Sequence, residues 1–273
     1  MARTIRESLA SGSGEIASAQ RPVEYLETVE AYNRWAEVYD TDGNFLQALD
    51  SIEMQRLLPR LVAKVAESGP VRKLVDLGCG TGRNTRRLLE FAPQDAQVVG
   101  VDASPGMLEV ARATINKEME VDASGSERVL LDIYDLLQSP PVPPECSKEA
   151  SGVISTLVLE HIPVAQFFEG VAALISSGGY FLLTNMHSDM GSISQAGFVD
   201  TATGTKIRPT SYSHTIEEVL KAAEEAGFDV VELDGEQVRE RKVDETMVEQ
   251  LGKRANKWVG VTVWFGICFR KRE

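Results

Sequence analysis

The sequence predicts a doubly wound α/β fold: a mostly parallel, seven-stranded sheet wrapped by helices, with an antiparallel edge strand and an N-terminal helical cap. Three observations predict it. From Val71 onward, short apolar runs alternate with amphipathic helical stretches, the pattern of a parallel sheet covered on both faces. One of those runs leads directly into a glycine turn and then a helix, as a ligand-binding strand does in such folds. The last apolar run, residues 257–269, is rich in Val, Trp and Phe and follows a long helical connection, which suits an antiparallel partner for the run before it.

Residues 24–36 and 45–65 read as two helices of the cap, separated by the turn-like Thr41-Asp42-Gly43-Asn44. Residues 73–77, 97–101, 128–131, 152–157 and 180–184 read as buried strands, being apolar and closed by polar or turn residues. The helix through 86–91 stops before Pro93. Ser104 can cap the next helix, with Pro105 at its first position. Thr215 and Glu218 have capping-box spacing, Ile216, Val219, Leu220 and Ala223 share one face, and Gly227 sits where that helix should end. A strand over 228–233 follows. Residues 1–20 read as a flexible leader, and 21–273 as a single domain with its cap at 21–67 and a loop insertion at 185–214.

The chain has 273 residues, 43% of them hydrophobic and 25% charged, enough to build a core. Its formal net charge of −13 opposes approach to a phosphate backbone, and no basic run interleaved with aromatics offsets it, so nucleic acid is not the expected partner. No segment resembles a signal peptide or a membrane span. Three cysteines, Cys79, Cys146 and Cys268, lack close pairing or ligand spacing with the three histidines, so we expect a cytoplasmic protein with no structural metal. Oligomeric state is left open.

The segment Leu74-Val75-Asp76-Leu77-Gly78-Cys79-Gly80-Thr81-Gly82 carries the chemistry. Its glycines let the backbone approach a ligand, Asp76 stands in front and Asn84 behind. Asp102 closes the next strand, where a carboxylate commonly takes the two hydroxyls of an adenosine ribose, or alternatively serves the turn before the Ser104 cap. A nicotinamide enzyme shares these features, but its pattern is G-x-G-x-x-G. The spacing here is G-x-G-x-G, which suits a ligand without a pyrophosphate.

Together, residues 75–84, 98–107 and 153–163 resemble the consecutive motifs of class I S-adenosylmethionine-dependent methyltransferases, over roughly 25–270 of the chain. The resemblance implies S-adenosylmethionine as cofactor. It places Gly78, Cys79 and Gly80 along the methionine part with Asp76 nearby, and Asp102 on the ribose. Ala103 and Met107 would flank the adenine, with Asp132 and Ile133 at its amino edge. Thr156 and Leu157 would supply backbone contacts near the sulfonium, with His161 following. Tyr32, Trp35 and Tyr39 resemble an aromatic cap over the cofactor, and equally form a helical stripe that packs on a core.

For the acceptor, the sequence offers a small molecule and a long Gly, Ser and Thr-rich connection, 185–214, with a hairpin about Thr203-Gly204. Asn185, His187, Tyr212 and His214 are its candidate substrate residues, with capping or turn hydrogen bonding as the structural alternative that each histidine taken alone favours. Methyl transfer is an in-line displacement in which alignment and water exclusion do most of the work, and a thiol acceptor needs little base assistance. Residues 32–44, 184–187 and 196–208 resemble fungal natural-product methyltransferases, nearest the gliotoxin-type dithiol bis-thiomethyltransferases, which implies S-methylation of a dithiol. N- or O-methylation of a fungal secondary metabolite is the enzymatic alternative. A cofactor-binding regulatory protein without turnover is the non-enzymatic one.

Overall fold

A computed structural model describes residues 3–10, 22–119 and 128–273. The chain begins with α1 (Ile5–Ala10), β1 (Val23–Leu26), α2 (Thr28–Trp35) and α3 (Phe45–Ser68). There follow β2 (Lys73–Leu77), α4 (Arg83–Phe91), β3 (Gln97–Asp102), α5 (Pro105–Met119), β4 (Val129–Ile133), β5 (Ala150–Thr156), α6 (Val164–Leu174) and β6 (Ile175–Met186). The remainder comprises α7 (Ser188–Gly191), β7 (Phe198–Val199), β8 (Lys206–Pro209), α8 (Ile216–Glu225), β9 (Phe228–Val231), β10 (Val238–Lys242), α9 (Glu245–Leu251) and β11 (Thr262–Lys271).

The main sheet has the order β10-β11-β6-β5-β2-β3-β4. Strands β4, β3, β2, β5 and β6 are parallel to their neighbours, whereas β11 runs antiparallel to β6. Beyond β11 at that edge, β9 pairs with residues 268–271 and β10 with 262–267, so eight strands fill seven positions. The chain leaves β2 toward β3 on one side and returns through β5 on the other. Ligands of such sheets bind at this reversal, outside the carboxyl ends of the strands.

Alternation along the strands sends side chains to two cores. Leu74, Val98, Ile154 and Leu182 meet Leu57, Leu61 and Val65 of α3, while Val75, Val153, Phe181 and Phe265 meet Phe167 and Phe168 of α6. Helix α3 is therefore a layer of the sandwich and not part of a cap over 21–67. What covers the strand ends is α2, the turn at Ala36–Val38 and a second sheet, β1-β8-β7, in which β1 is parallel to β8.

Two expectations on the N-terminal side are corrected. The helix expected from 24 begins at Thr28, because the main chain of Val23–Leu26 pairs with β8 from the loop insertion, a partner distant in sequence. Residues 3–10 of the expected leader are not loose: Thr4 bridges Tyr212, the Ile5 N–H donates to the Ser211 carbonyl at 2.8 Å, and Ile5 is buried. The rest of 1–20 lies outside the described residues. The last apolar run also starts later than 257, since Lys253–Trp258 is a 3₁₀ stretch. None of the described helices is long and apolar enough to cross a membrane.

Candidate active site

The glycine turn after β2 is left-handed at Gly78, Gly80 and Gly82, with φ of 71°, 54° and 83°. At Gly78 a Cβ would sit 2.2 Å from Val158 Cγ2, so this position admits no side chain without displacing the β5 end. At Gly80 no atom lies within 4 Å of where a Cβ would be, and the backbone there is open to a ligand. The Gly80 N–H donates to Asp102 Oδ2 and the Ser104 N–H to Oδ1, each at 2.8 Å, fixing the Asp102 carboxylate at the end of β3. Burial raises its pKa above the ordinary aspartate value, and these N–H donors partly oppose the rise.

A slot runs past these groups. Gly78, Gly80, Asp102, Ala103, Met107, Thr156, Leu157 and His161 line it, with Tyr32 and Tyr39 above. A carboxylate for paired hydroxyls, an open glycine backbone and apolar walls for a base suit S-adenosylmethionine. Leu157, at φ 58° with its N–H on the Thr184 carbonyl, holds a left-handed turn that a non-glycine residue adopts only at a cost.

Other residues expected on the cofactor are placed differently. Asp76 lies under the turn, 1% exposed and outside the slot, with Oδ2 accepting from Thr85 Oγ1 at 2.7 Å and Oδ1 unpartnered. Burial pushes it to about 7. Cys79 is buried against Gly100 and faces away from the slot. Asn84 donates to Thr156 Oγ1 at 3.0 Å, tying α4 to β5. Asp132 and Ile133 do not line the slot, because β4 continues through Ile133 and the chain reaches the site only at Tyr134, Asp135, Leu136 and Leu137. Trp35 lines the neighbouring cavity instead, stacked on Phe198 at 4.9 Å.

That second cavity, about 940 Å³, adjoins the slot through Tyr32, Tyr39 and Leu157, which line both. It belongs to the usual size range for small-molecule sites. Trp35, Phe45, Met186, Met190, Phe198 and Trp258 supply its aromatic and apolar lining. Residues 194–199 of the loop insertion form one side.

None of the four expected substrate residues lines it; each supports a neighbour. Asn185 Oδ1 accepts from the Glu160 N–H at 3.3 Å. His187 Nδ1 caps α7 by accepting from the Asp189 N–H at 3.1 Å, and its Nε2 faces Glu240 Oε1 at 3.1 Å. Tyr212 stacks on His214 at 5.7 Å, and His214 Nε2 donates to the Ile162 carbonyl at 2.9 Å. Burial lowers the pKa of His214. His161 is also fully engaged: Nδ1 donates to the Thr210 carbonyl at 2.8 Å, so Nε2 accepts from the Tyr32 hydroxyl at 2.7 Å. Burial depresses it to about 4, and the ring is neutral at physiological pH.

Glu160, beside His161, was not anticipated. It is 4% exposed, lines the large cavity, and its Oε2 has no partner. Burial pushes its pKa up to about 7, with backbone N–H groups of Glu160 and Met186 opposing. Its signal in the sequence is an acid within the apolar run Val158-Leu159-Glu160-His161-Ile162.

Comparison with known proteins agrees with this geometry. Residues 74–179 match the model of a methyltransferase domain. An uncharacterized methyltransferase of Emericella nidulans is 55% identical over 97% of this chain and 99% of its own length. A trans-aconitate 2-methyltransferase of Acidovorax ebreus is 43% identical over 28% of each chain. Among solved structures, an S-adenosylmethionine-dependent methyltransferase from Clostridium acetobutylicum superposes with a TM-score of 0.58 at 13% identity, covering 89% of this chain and 99% of that one. One from Mesorhizobium loti gives 0.52 at 21% identity, covering 77% of this chain and 96% of that one. The fold and site thus define a Rossmann-like methyltransferase. The chain belongs to the methyltransferase family, and S-adenosylmethionine is its expected cofactor.

Proposed function

We propose that the protein methylates a thiol of a small molecule seated in the aromatic cavity, with Glu160 as proton acceptor. The observation that carries this reading is Glu160, a buried carboxylate with one unpartnered oxygen, in the lining of a cavity that joins the cofactor slot. S-adenosylmethionine, when bound, supplies an electrophilic methyl group on a sulfonium. Asp102, Gly78, Gly80, Ala103 and Met107 would hold it, and Tyr32, Tyr39 and Leu157 border the place where acceptor and methyl meet. Water exclusion falls to the aromatic walls.

A base that titrates near 7 matches a thiol, whose ordinary value is about 8.5, far better than an alcohol. The histidines are engaged elsewhere, which removes them as competitors for this role. A cavity of about 940 Å³ has room for a dithiol of the reduced gliotoxin type to present first one sulfur and then the other. Two methylations of such a dithiol is the finer reading, and it rests on the cavity together with the sequence resemblance.

The test is mass spectrometry of reactions containing labelled S-adenosylmethionine and matched dithiols, monothiols, amines and phenols. Two successive methyl gains on a dithiol, with release of S-adenosylhomocysteine, are expected. Transfer confined to amines or phenols would overturn the thiol reading, and tight cofactor binding without transfer to any of them would favour a regulatory protein.

A further inference from the structure

One feature of the large cavity is not used by methyl transfer itself. Lys206 of β8 and Lys253, Arg254 and Lys257 of the 3₁₀ stretch before β11 all line it, and none lines the cofactor slot. Two segments far apart in sequence therefore bring four cations to one cavity, in a chain whose net charge is −13. Among the described residues none of the four has an ion-pair partner within 4 Å. Lys257 lies over the Trp258 ring at 4.8 Å, and Arg254 feels Asp42. Asp42 is already used: Oδ2 accepts from Trp35 Nε1 at 3.0 Å and Oδ1 from the Asn44 N–H at 2.9 Å. The other carboxylate on the cavity, Glu160, does not offset four positive charges.

The cations also crowd one another. Lys206, half-buried, is held below the ordinary lysine value first by burial and then by the positive charges of Arg208, Lys257 and Arg254. An anion among the ammonium and guanidinium groups relieves repulsion of this kind. The long stems of Lys253, Arg254 and Lys257 keep their charged ends in reach of solvent, so an acceptor with an ionised end need not be stripped of all its water. The lining thus combines aromatic side chains, Trp35, Phe198 and Trp258 among them, with cations from β8 and the stretch before β11.

We infer that the acceptor is an organic anion, its carboxylate or other acidic group held by Lys206, Lys257, Lys253 and Arg254 while a different atom of the same molecule takes the methyl group. This rests on the thiol methyltransferase reading, names the substrate class of the same cavity, and departs from the finer form of that reading, since a dithiol of the reduced gliotoxin type carries no acidic group beside its thiols. It adds a specificity that a neutral aromatic pocket lacks, because charge-assisted hydrogen bonds are worth about 1.5–3 kcal/mol each, roughly 10- to 150-fold in affinity.

The experiment compares 3-mercaptobenzoate with its methyl ester on the full chain and on a Lys206→Met/Lys257→Met variant. The wild type should prefer the acid by at least about tenfold in kcat/KM, and the variant by less than about threefold through a rise in KM. The preference should shrink between low and high salt, as screened charges require. Calorimetric affinity for S-adenosylhomocysteine, unchanged in the variant, reports that it folds; if it does not, Lys206→Gln and Lys257→Gln singly carry the same comparison. Equal use of acid and ester by the wild type, or a preference unmoved by the substitutions, overturns the inference. So does methyl ester formation on the acid, which puts the carboxylate at the wrong end. If neither thiol is methylated, the two are titrated into protein loaded with S-adenosylhomocysteine: tighter binding of the acid supports the anion site, and equal or absent binding overturns it. Failure of the wild type to bind S-adenosylhomocysteine would instead bring down the cofactor reading.

Discussion

Asp76 and Glu160 are alike in burial, in a pKa pushed to about 7 and in having one oxygen without a partner, but they differ in what their side chains border. Asp76 is sealed beneath the glycine turn by Thr85. Glu160 is part of the lining of the large cavity. The same desolvation therefore yields two different things: an uncompensated carboxylate under the cofactor loop, and a base matched to neutral pH beside the acceptor. A raised pKa identifies neither role by itself; the place of the side chain relative to the cavity distinguishes them.

The effect that would break this contrast most directly is on turnover. Glu160→Gln keeps the shape and removes the base, so kcat at pH 7 should fall by up to about 30-fold, the factor by which a thiol of ordinary pKa falls short of full ionisation, at unchanged cofactor affinity. The wild-type rate should also decline as pH drops below about 7, where the carboxyl is protonated. A Gln variant with full kcat would assign Glu160 a structural part like that of Asp76.

The cofactor half is probed by Asp102→Ala. Its carboxylate holds two loop N–H groups and is the ribose acceptor in our assignment, so about 3 kcal/mol, roughly 150-fold in cofactor Kd, should be lost. Calorimetry with S-adenosylhomocysteine reads this directly. Asp76→Asn, which lies off the slot, should change the same Kd by less than about tenfold.

Stability against pH separates the two acids from ordinary ones. Both folded pKa values lie above their unfolded values, so the folded state holds protons that the unfolded state releases. Their contribution is fully present below about pH 4 and is lost as pH rises through about 7. The unliganded protein should melt higher at pH 6 than at pH 8. Asp76→Asn should flatten that slope and stabilise the fold at pH 8, by on the order of 2 kcal/mol. A steeper slope, or lost stability at pH 8, would show that the Asp76 carboxylate is compensated in solution.

The cofactor half was far more legible in the sequence than the acceptor half, for a reason of chain geometry. Strand β2, the turn at 78–82 and Asp102 are set by local backbone requirements that glycines and strand ends display directly. The acceptor cavity draws on α2, the start of α3, the end of β6, the loop insertion and the stretch before β11. No spacing rule joins Glu160 to Lys206 or Trp258. The misplacement of Asp132 and Ile133 has a smaller cause, since a strand that ends two residues later than expected moves the slot contacts to Tyr134 and Asp135. Histidines drew the functional assignment because they titrate near neutrality when free. In the fold their nitrogens are spent on carbonyls, a cap and a carboxylate, and the neutral-range base is an acid raised by burial.

The smallest effect expected is at His187, and it sharpens the same contrast from the other side. Its Nδ1 caps α7 and its Nε2 faces the half-exposed Glu240, so the ring touches neither cavity. His187→Gln should leave kcat and KM within about twofold while costing about 1 kcal/mol of stability through the lost cap. Turnover and melting measured on one preparation decide it: reduced kcat at unchanged melting would return proton transfer to the loop insertion, and unchanged kcat with a lower melting point would leave Glu160 as the group that meets the acceptor.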